Sequence, residues 1–487
     1  MDVDVALRLT NRIYTRLSAR RPQIRIQEDY RDGKQPLNFA TEEWKKANAS
    51  RYAGFSDNWC GTVISAEAER LKPTGLTGFD RAGALWDDLQ RNEFDAQFAQ
   101  GTHTALTSGR MYVIVWGDPD SQEPVVTVEH PANVEIEYDP ENPRRRLAAI
   151  KTWVDESMEY ATLYTPDTLF KWERKRFTQP NERKSQAEQL REDATPDNGG
   201  WLPRGEGLSD WVVKNPMGVV PVVEIANRPT LLGDPLSEIA GVIPMQDAIN
   251  LLWAYLFLAA DYASMDARVM LASEPPKIPI LDGTGKIIGE RPVEMKDLRE
   301  KRLLSISGEN ARIDSWEAAK LDIFTDTIEI AVGHVAAQTR TPPHYLVSNK
   351  GLSNLSGDAL KSAETGLTKK AGEFITFADP PLREVARLVA LVRDDRRSAE
   401  AARLSRVTWE SPEIRSESQL VDALAKKATV GWPFELLLEE YGKAPDEIKR
   451  ILDMREREVE QAIGSGVQGA IQDGMNDVGE VDSAESS

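Results

Sequence analysis

The sequence predicts an α+β protein in which helical segments lie on both sides of a β-rich middle. From Met111 to Trp172, short runs rich in β-branched and aromatic residues alternate with turn clusters, which is typical of an antiparallel meander. Before and after this stretch, apolar residues recur at steps of three and four, which indicates amphipathic helices. With 487 residues, 40% of them hydrophobic, the chain is long enough for two to four domains with separate cores.

The first 75 residues are predicted to be helical. An opening helix is followed, after a connector, by a helical region at Thr41–Leu71 that ends at Lys72-Pro73-Thr74-Gly75. Asp80 can cap a third helix, and its apolar pattern continues to Ser108-Gly109.

The β-rich middle resolves into a series of short strands. They are predicted at Met111–Trp116, Val125–Glu129, Val134–Tyr138, Ala148–Val154, Glu159–Tyr164, Thr168–Trp172, Trp211–Val213 and Val219–Ile225. Residues 178–200 are polar and without periodicity, so we expect a surface loop there.

Helix is predicted again from Pro235, and a long rod from Met245 to Leu271. The rod is apolar on more than one side, so it must be buried against neighbours. A compact insertion follows at 277–314, with strands predicted at Lys277–Leu281 and Arg302–Ile306. The insertion is more basic than the rest of the chain through Lys286, Arg291, Lys296, Arg299, Lys301 and Arg302.

The rest of the chain is organised around a helix, a polar loop and a longer helix. The first helix, Ala318–Arg340, is stopped by Thr341-Pro342-Pro343, because proline disfavours helical backbone at and before its own position. Ser356 can cap the second helix, whose apolar stripe continues through Pro380-Pro381 to Val392, so we predict one kinked helix. A loop held between two rigid helices is well placed to contact another molecule.

The C-terminal part is predicted to be helical over Ser416–Ile463, with a break at Gly431-Trp432-Pro433-Phe434. Beyond Gly464 the residues are mostly small or acidic, which predicts a disordered acidic tail.

Composition disfavours several classes of function. The formal charge of −19 argues against ordinary duplex binding, since most nucleic-acid-binding proteins are basic. Cys60 is the single cysteine, which leaves no internal disulfide and no cysteine-rich metal site. The N-terminus has no signal-peptide pattern, and the apolar run Leu251–Ala260 is too short to span a bilayer. We therefore expect a soluble protein made in a reducing cytoplasm, without membrane contact.

Enzymatic motifs are weak. Gly283-Thr284-Gly285-Lys286 resembles the end of a phosphate loop, but Ile280 replaces the first glycine and Ile287 replaces the magnesium-binding Ser or Thr. A plain turn is the better interpretation. No serine elbow surrounds Ser353 or Ser356.

The histidines and basic clusters also favour structural roles. The four histidines, His103, His130, His334 and His344, have no metal-ligand spacing. His103 fits a packed or capping residue, whereas a contact role and a surface role are equally open for His344. The run Arg144-Arg145-Arg146 fits a solvated loop, with an inter-subunit ion pair as the alternative. We predict no catalytic residue, metal or cofactor, and a structural assembly component instead of an enzyme.

The order of these parts resembles the portal proteins of long-tailed bacteriophages, the ring at one capsid vertex through which DNA enters and leaves. The residues that carry the likeness are Asn58–Cys60, Ala66–Leu71, Gly109–Trp116, Asn215–Val223, Asn227–Pro229, Gln246–Asn250 and Leu355–Lys361. The likeness spans about residues 40–395, and its specificity lies in the order and spacing of these motifs together. One departure is Pro244, close to the start of the first long helix.

The resemblance implies an architecture for the whole chain. Its parts would be a wing (1–234, helices plus antiparallel β structure), a first stem helix (235–272), a small α/β clip (273–314), a second stem helix (315–340), a tunnel loop (341–356), a long kinked wing helix (357–398), a helical crown (399–470) and a disordered acidic tail (471–487). The subunits would form a homo-oligomeric ring, expected to be a dodecamer.

The resemblance also implies partners. Double-stranded DNA would pass through the channel without sequence readout, facing His344, Tyr345, Ser348, Asn349, Lys350, Ser353 and Asn354 of the tunnel loop. The terminase large subunit, and later a head–tail adaptor protein, would meet the clip through its six basic residues. Major capsid and scaffolding proteins would surround the ring, which is assembled in the host cytoplasm and resides at the portal vertex of the virion.

Two other functions stay open at this stage. One is a capsid-associated or scaffolding protein that forms no channel. The other, which the sequence favours less, is a metal-dependent packaging nuclease.

Overall fold

The computed structural model confirms a mixture of helices and strands and divides into two compact units. It describes residues 1–35, 55–118, 120–121, 123–175, 199–205, 207–263, 268–271, 277–292, 312–315, 320–346, 357–413, 417–443 and 447–461. The larger unit comprises Met1–Pro36, Ser56–Gln246 and Gly333–Ser487, and the smaller unit comprises Leu37–Phe55 and Asp247–Val332.

The described helices are numbered here in chain order. They are α1 (Val3–Arg31), α2 (Trp59–Ala68), α3 (Ala82–Arg91), α4 (Phe94–Ser108), α5 (Leu208–Trp211), α6 (Ile243–Ala263), α7 (Asp322–Thr339), α8 (Gly357–Val392), α9 (Arg396–Ala402), α10 (Glu417–Thr429), α11 (Phe434–Tyr441) and α12 (447–461).

The strands are short and pair antiparallel throughout the described residues. They are β1 (Pro73–Thr77), β2 (Arg110–Gly117), β3 (Pro124–Glu129), β4 (Val134–Tyr138), β5 (Arg146–Asp155), β6 (Met158–Tyr164), β7 (Thr168–Lys175), β8 (Leu202–Pro203), β9 (Val212–Lys214), β10 (Val222–Ala226), β11 (Arg268–Leu271), β12 (Lys277–Leu281), β13 (Ile287–Pro292), β14 (Arg312–Ser315) and β15 (Arg406–Trp409).

A six-stranded sheet, ordered β4-β5-β6-β7-β8 with β9 also paired to β7, forms the centre of the larger unit. Successive side chains point to opposite faces of a strand, and both faces are buried here. On one face Ile150, Leu163 and Trp172 pack with α1 residues such as Leu17. On the other face the intervening residues meet the three-stranded sheet β10-β2-β3. This two-sided burial explains why the strands read as nearly continuous apolar runs.

Helix α8 covers the strands β10 and β2. Leu367, Phe374 and Val385 of its predicted apolar stripe are fully buried. Pro380 and Pro381 lie inside the helix, which continues through them as one element of 36 residues. The prediction of a single long helix is therefore confirmed.

The smaller unit contains most of α6, the first part of α7 and two antiparallel strand pairs. Strand β12 pairs with β13, and β11 pairs with β14. The division between the units falls inside α6, between Gln246 and Asp247, and inside α7, between Val332 and Gly333. An 18-residue window of α6, Ile243–Ala260, is long and apolar enough to cross a membrane, and 28% of it is buried. The helix thus exceeds the ten-residue apolar run noted in the sequence; a helix that packs against protein can have the same composition.

Three sequence predictions are wrong in detail. The helix predicted to reach Leu271 ends at Ala263, because Arg268–Leu271 pairs as a strand with Arg312–Ser315. The helix does not begin at Pro235 but at Ile243, which places Pro244 in the first turn, where a missing amide costs nothing. The predicted all-helical crown contains the strand Arg406–Trp409.

The strand Arg406–Trp409 pairs with Pro73–Thr77, a segment that the sequence marked only as a helix end. Both local runs are too short to reveal a pairing between segments more than 300 residues apart. Helix α3 was predicted to be capped by Asp80. It begins instead after Arg81, whose side chain forms no capping hydrogen bond.

Other predictions fall on residues outside the described ranges. These are most of the region Thr41–Leu71 before Trp59, most of the loop 178–200, the strand Arg302–Ile306 and the acidic tail.

Candidate functional site

The candidate site lies where the segment 341–356 leaves α7. The helix ends at Thr339, as the Thr-Pro-Pro sequence predicts, and Arg340 adopts a left-handed conformation with φ 54°. Thr339 Oγ1 lies 2.9 Å from Thr341 Oγ1, and both residues are buried. A short 3-10 turn, Pro343–Tyr345, follows, and then the buried Leu346. The base of the segment is thus fixed to the larger unit.

A buried ammonium lies beneath this base. Lys370 Nζ of α8 donates a hydrogen bond to the carbonyl oxygen of Thr339 (2.9 Å) and lies 2.8 Å from a carboxylate oxygen of both Glu67 and Glu238. The side chains of Lys370, Glu67 and Glu238 are only 1–2% exposed. Arg228 Nε approaches Glu238 to 2.9 Å and supplies a second cation. We call these five residues the Lys370 cluster.

The surroundings of Glu67 in the Lys370 cluster favour the protonated, neutral form of its carboxyl group. Burial raises the pKa of Glu67, Lys370 opposes this shift and the neighbouring Glu238 adds to it, and together they bring the pKa to about 7. The main physical cause is that burial disfavours the charged carboxylate, and the negative charge of Glu238 disfavours it further. The cluster is therefore sensitive to pH near neutrality.

A second buried cluster holds the 3-10 turn itself. Arg70 Nη2 donates to Glu364 Oε2 (2.5 Å) and to the Tyr345 hydroxyl (3.2 Å), while Nη1 donates to the carbonyl oxygen of Pro412 (2.9 Å). His344 Nε2 lies 2.8 Å from the other oxygen of Glu364. Arg70 thereby joins the end of α2, the turn, α8 and the segment that leads to α10.

The structure places two of the seven predicted DNA-facing residues. His344 and Tyr345 are half-buried, and both side chains have partners within the chain, so they anchor the start of the segment. Ser348, Asn349, Lys350, Ser353 and Asn354 lie outside the described residues, and their contact with DNA stays a prediction.

Of the six predicted clip residues, the structure describes Lys286 and Arg291. Lys286 is exposed at the turn of the hairpin β12–β13, and Arg291 is half-buried on β13. Lys296, Arg299, Lys301 and Arg302 lie outside the described ranges.

The run around Gly283 is a plain turn. Asp282 Oδ1 accepts hydrogen bonds from Thr284 and Lys286 amides and from the Thr284 hydroxyl, and Gly285 has a left-handed φ of 84°. The phosphate-loop interpretation is excluded by this geometry. Within the described ranges, no group of three or more His, Cys, Asp or Glu residues could hold a metal ion.

Several of the sequence motifs meet in space. The side chain of Gln246 accepts a hydrogen bond from the Trp59 amide (2.8 Å) and donates one to the Asp57 carbonyl oxygen (2.5 Å). Asn58 caps α2 by accepting from the Gly61 amide. The Asn227 amide donates to the Gly109 carbonyl oxygen (2.8 Å). These motifs therefore build the frame that positions the Lys370 cluster.

Sequence reasoning missed both buried clusters, because it assigned scattered charges to solvated faces. The sequence did contain a signal for Lys370. It lies three residues after Leu367 and four before Phe374, and this spacing places it on the apolar face of α8. The basic run at Arg144–Arg146 is partly structural: Arg146 pairs with Glu384 of α8 and donates to the Val222 carbonyl oxygen. Arg145 approaches Asp139 to 3.6 Å at the surface.

Comparison with known proteins identifies what the chain is similar to. The family model for phage portal proteins of the SPP1 Gp6-like type matches residues 62–461. The portal protein of Mycobacterium phage D29 is 26% identical over 426 residues, which cover 84% of this chain and 79% of the relative. The portal protein of Mycobacterium phage L5 is 27% identical over 321 residues, which cover 63% of this chain and 58% of the relative.

Solved structures with some likeness come from the necks of GTA particles. A chain from the "neck of native GTA particle computed with C12 symmetry" is 11% identical, with a TM-score of 0.44, covering 82% of this chain and 92% of that chain. A chain from the "neck of empty GTA particle computed with C6 symmetry" is 10% identical, also with a TM-score of 0.44, covering 83% and 94%.

Proposed function

We infer, from the premise that this chain belongs to the SPP1 Gp6-like family of phage portal proteins, that its residues build the DNA channel at one vertex of a phage capsid. The single observation that carries this conclusion is the family match over residues 62–461, which includes both buried clusters and both long helices. The protein is a phage portal protein and a component of the virion. The family is structural, and we propose that the chain itself has no catalytic activity.

We propose that identical subunits, expected to number twelve, surround the channel. Ile323 and Ile330 of α7 are 62% and 63% exposed in the single chain and lie one heptad apart on one helix face. Only 28% of the apolar window of α6 is buried. Adjacent subunits would cover these faces, since an exposed apolar stripe of this kind is costly in water.

We propose that the channel conducts double-stranded DNA without reading its sequence. A formal charge of −19, repeated in every subunit, repels phosphate and prevents the conduit from holding what it passes. Duplex DNA carries one charge per about 1.7 Å, so sparse polar contacts are sufficient to touch the moving backbone. The tunnel loop 341–356 would supply these contacts, with its first residues fixed by Arg70 and Glu364.

The remaining partners follow from the same role. The terminase large subunit would dock on the clip during packaging, and a head–tail adaptor would replace it. The basic residues of the clip, such as Lys286, would meet acidic surfaces of these partners. Major capsid and scaffolding proteins would contact the outside of the ring during assembly in the host cytoplasm.

Electron microscopy of the purified protein tests the ring directly. Views along the axis should show a ring with a central hole, and they would also count the subunits. Compact globules or sheets would remove the channel and favour the scaffolding alternative. Metal-dependent cleavage of plasmid DNA by pure protein, abolished by a chelator, would instead favour the nuclease alternative.

A deletion tests the tunnel loop separately. Removing residues 348–354 should leave rings intact but impair packaging or retention of DNA, because the anchored base at His344 and Tyr345 is untouched. Normal packaging of full-length genomes by particles with this deletion would refute the assignment of the loop.

A further inference from the structure

Two leucines protrude from the larger unit, and none of the residues that the structure describes covers them. Leu231 and Leu232 are 104% and 96% exposed, at the tip of the segment Arg228–Leu236 that follows β10. We call this segment the finger. Single exposed leucines are common on protein surfaces, but two adjacent and fully exposed leucines at the tip of a protrusion are unusual.

The base of the finger is held by a set of hydrogen bonds. The Leu236 amide donates to the Asn227 carbonyl oxygen (3.1 Å), and Asn227 Nδ2 donates to the Leu236 carbonyl oxygen (2.8 Å). Asn227 itself is fully buried. Its Nδ2 also donates to Glu238 Oε1 (2.8 Å), and Glu238 belongs to the Lys370 cluster. The finger is thus tied to the buried Lys370 cluster.

Packing and backbone geometry fix the finger further. Asp234 pairs with Arg110, and the Thr230 hydroxyl donates to the Asp234 carbonyl oxygen (3.3 Å). Gly109 has a φ of 89°, and a Cβ there would lie 2.6 Å from the Pro235 carbonyl oxygen, so only glycine permits this close approach. Gly233, with a φ of 120°, makes the turn beside the leucines. An apolar tip on a fixed base loses little conformational entropy when it binds.

We propose that Leu231 and Leu232 insert into an apolar recess on a second copy of this chain, the adjacent subunit of the ring. This inference rests on the proposed ring. A closed ring is made of head-to-tail contacts, in which a protrusion on one side of each subunit meets a recess on the opposite side of the next.

The chemistry of the tip favours a copy of this chain over other partners. Two uncharged leucines offer nothing to phosphate, which excludes DNA as the occupant of the tip. Subunits that each carry −19 repel one another, so contacts between them gain from side chains that bring no charge.

The size of the tip points in the same direction. Two leucines supply only a small part of the roughly 1,200–2,000 Å² that a stable protein interface buries. They can therefore add to an interface that other surfaces already form, as between ring neighbours, but cannot hold a separate partner alone.

The first experiment replaces the tip residues in the full chain. The double variant Leu231→Asp and Leu232→Asp should weaken ring assembly by about 100-fold or more in concentration, since losing the burial of one leucine changes an equilibrium constant roughly tenfold or more. Mass photometry over a dilution series measures this shift. The conservative double variant Leu231→Met and Leu232→Met should assemble like the wild type, because it keeps the apolar surface.

Thermal unfolding of the dissociated subunits checks the fold, and it should be unchanged in both double variants because both leucine side chains are almost fully exposed in the single chain. Normal rings from the aspartate variant would overturn the inference. If the aspartate variant forms normal rings but is no longer incorporated into capsids, the inference is also overturned, and the leucines bind a capsid protein instead of the adjacent subunit.

A second experiment reads the environment of the tip. Cys60 is the single native cysteine and is buried, so a polarity-sensitive dye on Leu232→Cys labels one site. Its emission should shift to shorter wavelength when rings form. Rings that form without this shift would refute the finger contact while leaving the portal function intact, whereas a wild type that forms no ring would refute the proposed function itself.

Discussion

The two helices on either side of the segment 341–356 have similar apolar repeats but satisfy them differently. In α8, Leu367 and Phe374 of the apolar stripe are fully buried, and the helix packs on the chain's own strands β10 and β2. In α7 one face is buried, with Val335 only 1% exposed, but Ile323 and Ile330 remain more than 60% exposed. The comparison teaches that α8 stabilises the subunit, whereas the second face of α7 is available for assembly.

Replacing Lys370 should give the largest loss of subunit stability. Lys370→Met removes the one ammonium between Glu67 and Glu238 and leaves the Thr339 carbonyl oxygen without its donor. Breaking a buried ion pair costs about 3–5 kcal/mol, and the two carboxylates here place the expected cost near the upper end. The unfolding midpoint of the purified protein in urea measures the effect.

The neighbouring residue provides the control for this substitution. Lys369 is exposed on the same turn of α8, and Lys369→Met should change stability by about 0.5 kcal/mol or less. Equal effects of the two substitutions would show that the Lys370 cluster does not hold α8 to the end of α7.

Truncating a core residue of α8 should have the next largest effect. Phe374 is fully buried, and Phe374→Ala should cost about 3–4 kcal/mol through lost burial and the cavity that remains. Phe377, three residues on and 38% exposed, is the matched control, and Phe377→Ala should cost markedly less. If Phe377→Ala proved as costly to the isolated subunit as Phe374→Ala, the contrast between the two faces of α8 would fail.

The fold of α8 could be predicted from sequence because its 3.6-residue repeat is long and survives two prolines. The meander was predictable for a similar reason: its strands are local and separated by clear turns. The strand Arg268–Leu271 was not predictable, because its partner Arg312–Ser315 lies about forty residues away and its own apolar pattern also fits a helix.

The candidate site was less predictable than the fold. The Thr-Pro-Pro stop correctly marked the end of α7, and the resemblance directed attention to the segment after it. The anchors Arg70 and Lys370 were missed because a charged residue on a helix is normally solvated, and only tertiary packing brings Glu364, Glu67 and Glu238 to them. His344 and Tyr345 were predicted to face DNA, and their partners Glu364 and Arg70 could not be identified before the fold brought them together.

Raising the pH should lower the stability of the subunit, through Glu67 beside the junction of α7 and α8, by less than the two substitutions above. Burial raises the pKa of Glu67 from its usual 4.5 to about 7. The protonated form therefore stabilises the fold fully below pH 4.5, and this contribution is lost as pH rises through 7. Across that window the wild type should lose up to about 3 kcal/mol relative to Glu67→Gln, which cannot ionise.

Unfolding midpoints measured at about pH 5 and about pH 8 test this expectation. The control is Glu69→Gln, since Glu69 is exposed two residues further along the chain. If Glu67→Gln has the same pH dependence as the wild type and as this control, the pKa of Glu67 is not raised in the folded protein.

The smallest effect on the single subunit is expected on the exposed face of α7, where the comparison is sharpest. Ile330→Asn should change the stability of the dissociated subunit by about 0.5 kcal/mol or less, because its side chain is 63% exposed. Ile328, two residues earlier and 6% exposed, should cost several times more when it is changed to asparagine, since burying an amide without a partner is unfavourable. Ring assembly, followed by mass photometry on dilution, should show a clear loss for Ile330→Asn despite the unchanged subunit. Assembly at wild-type concentrations would mean that this face of α7 stays in solvent, and the apolar surface needed for assembly would then have to be sought on other elements.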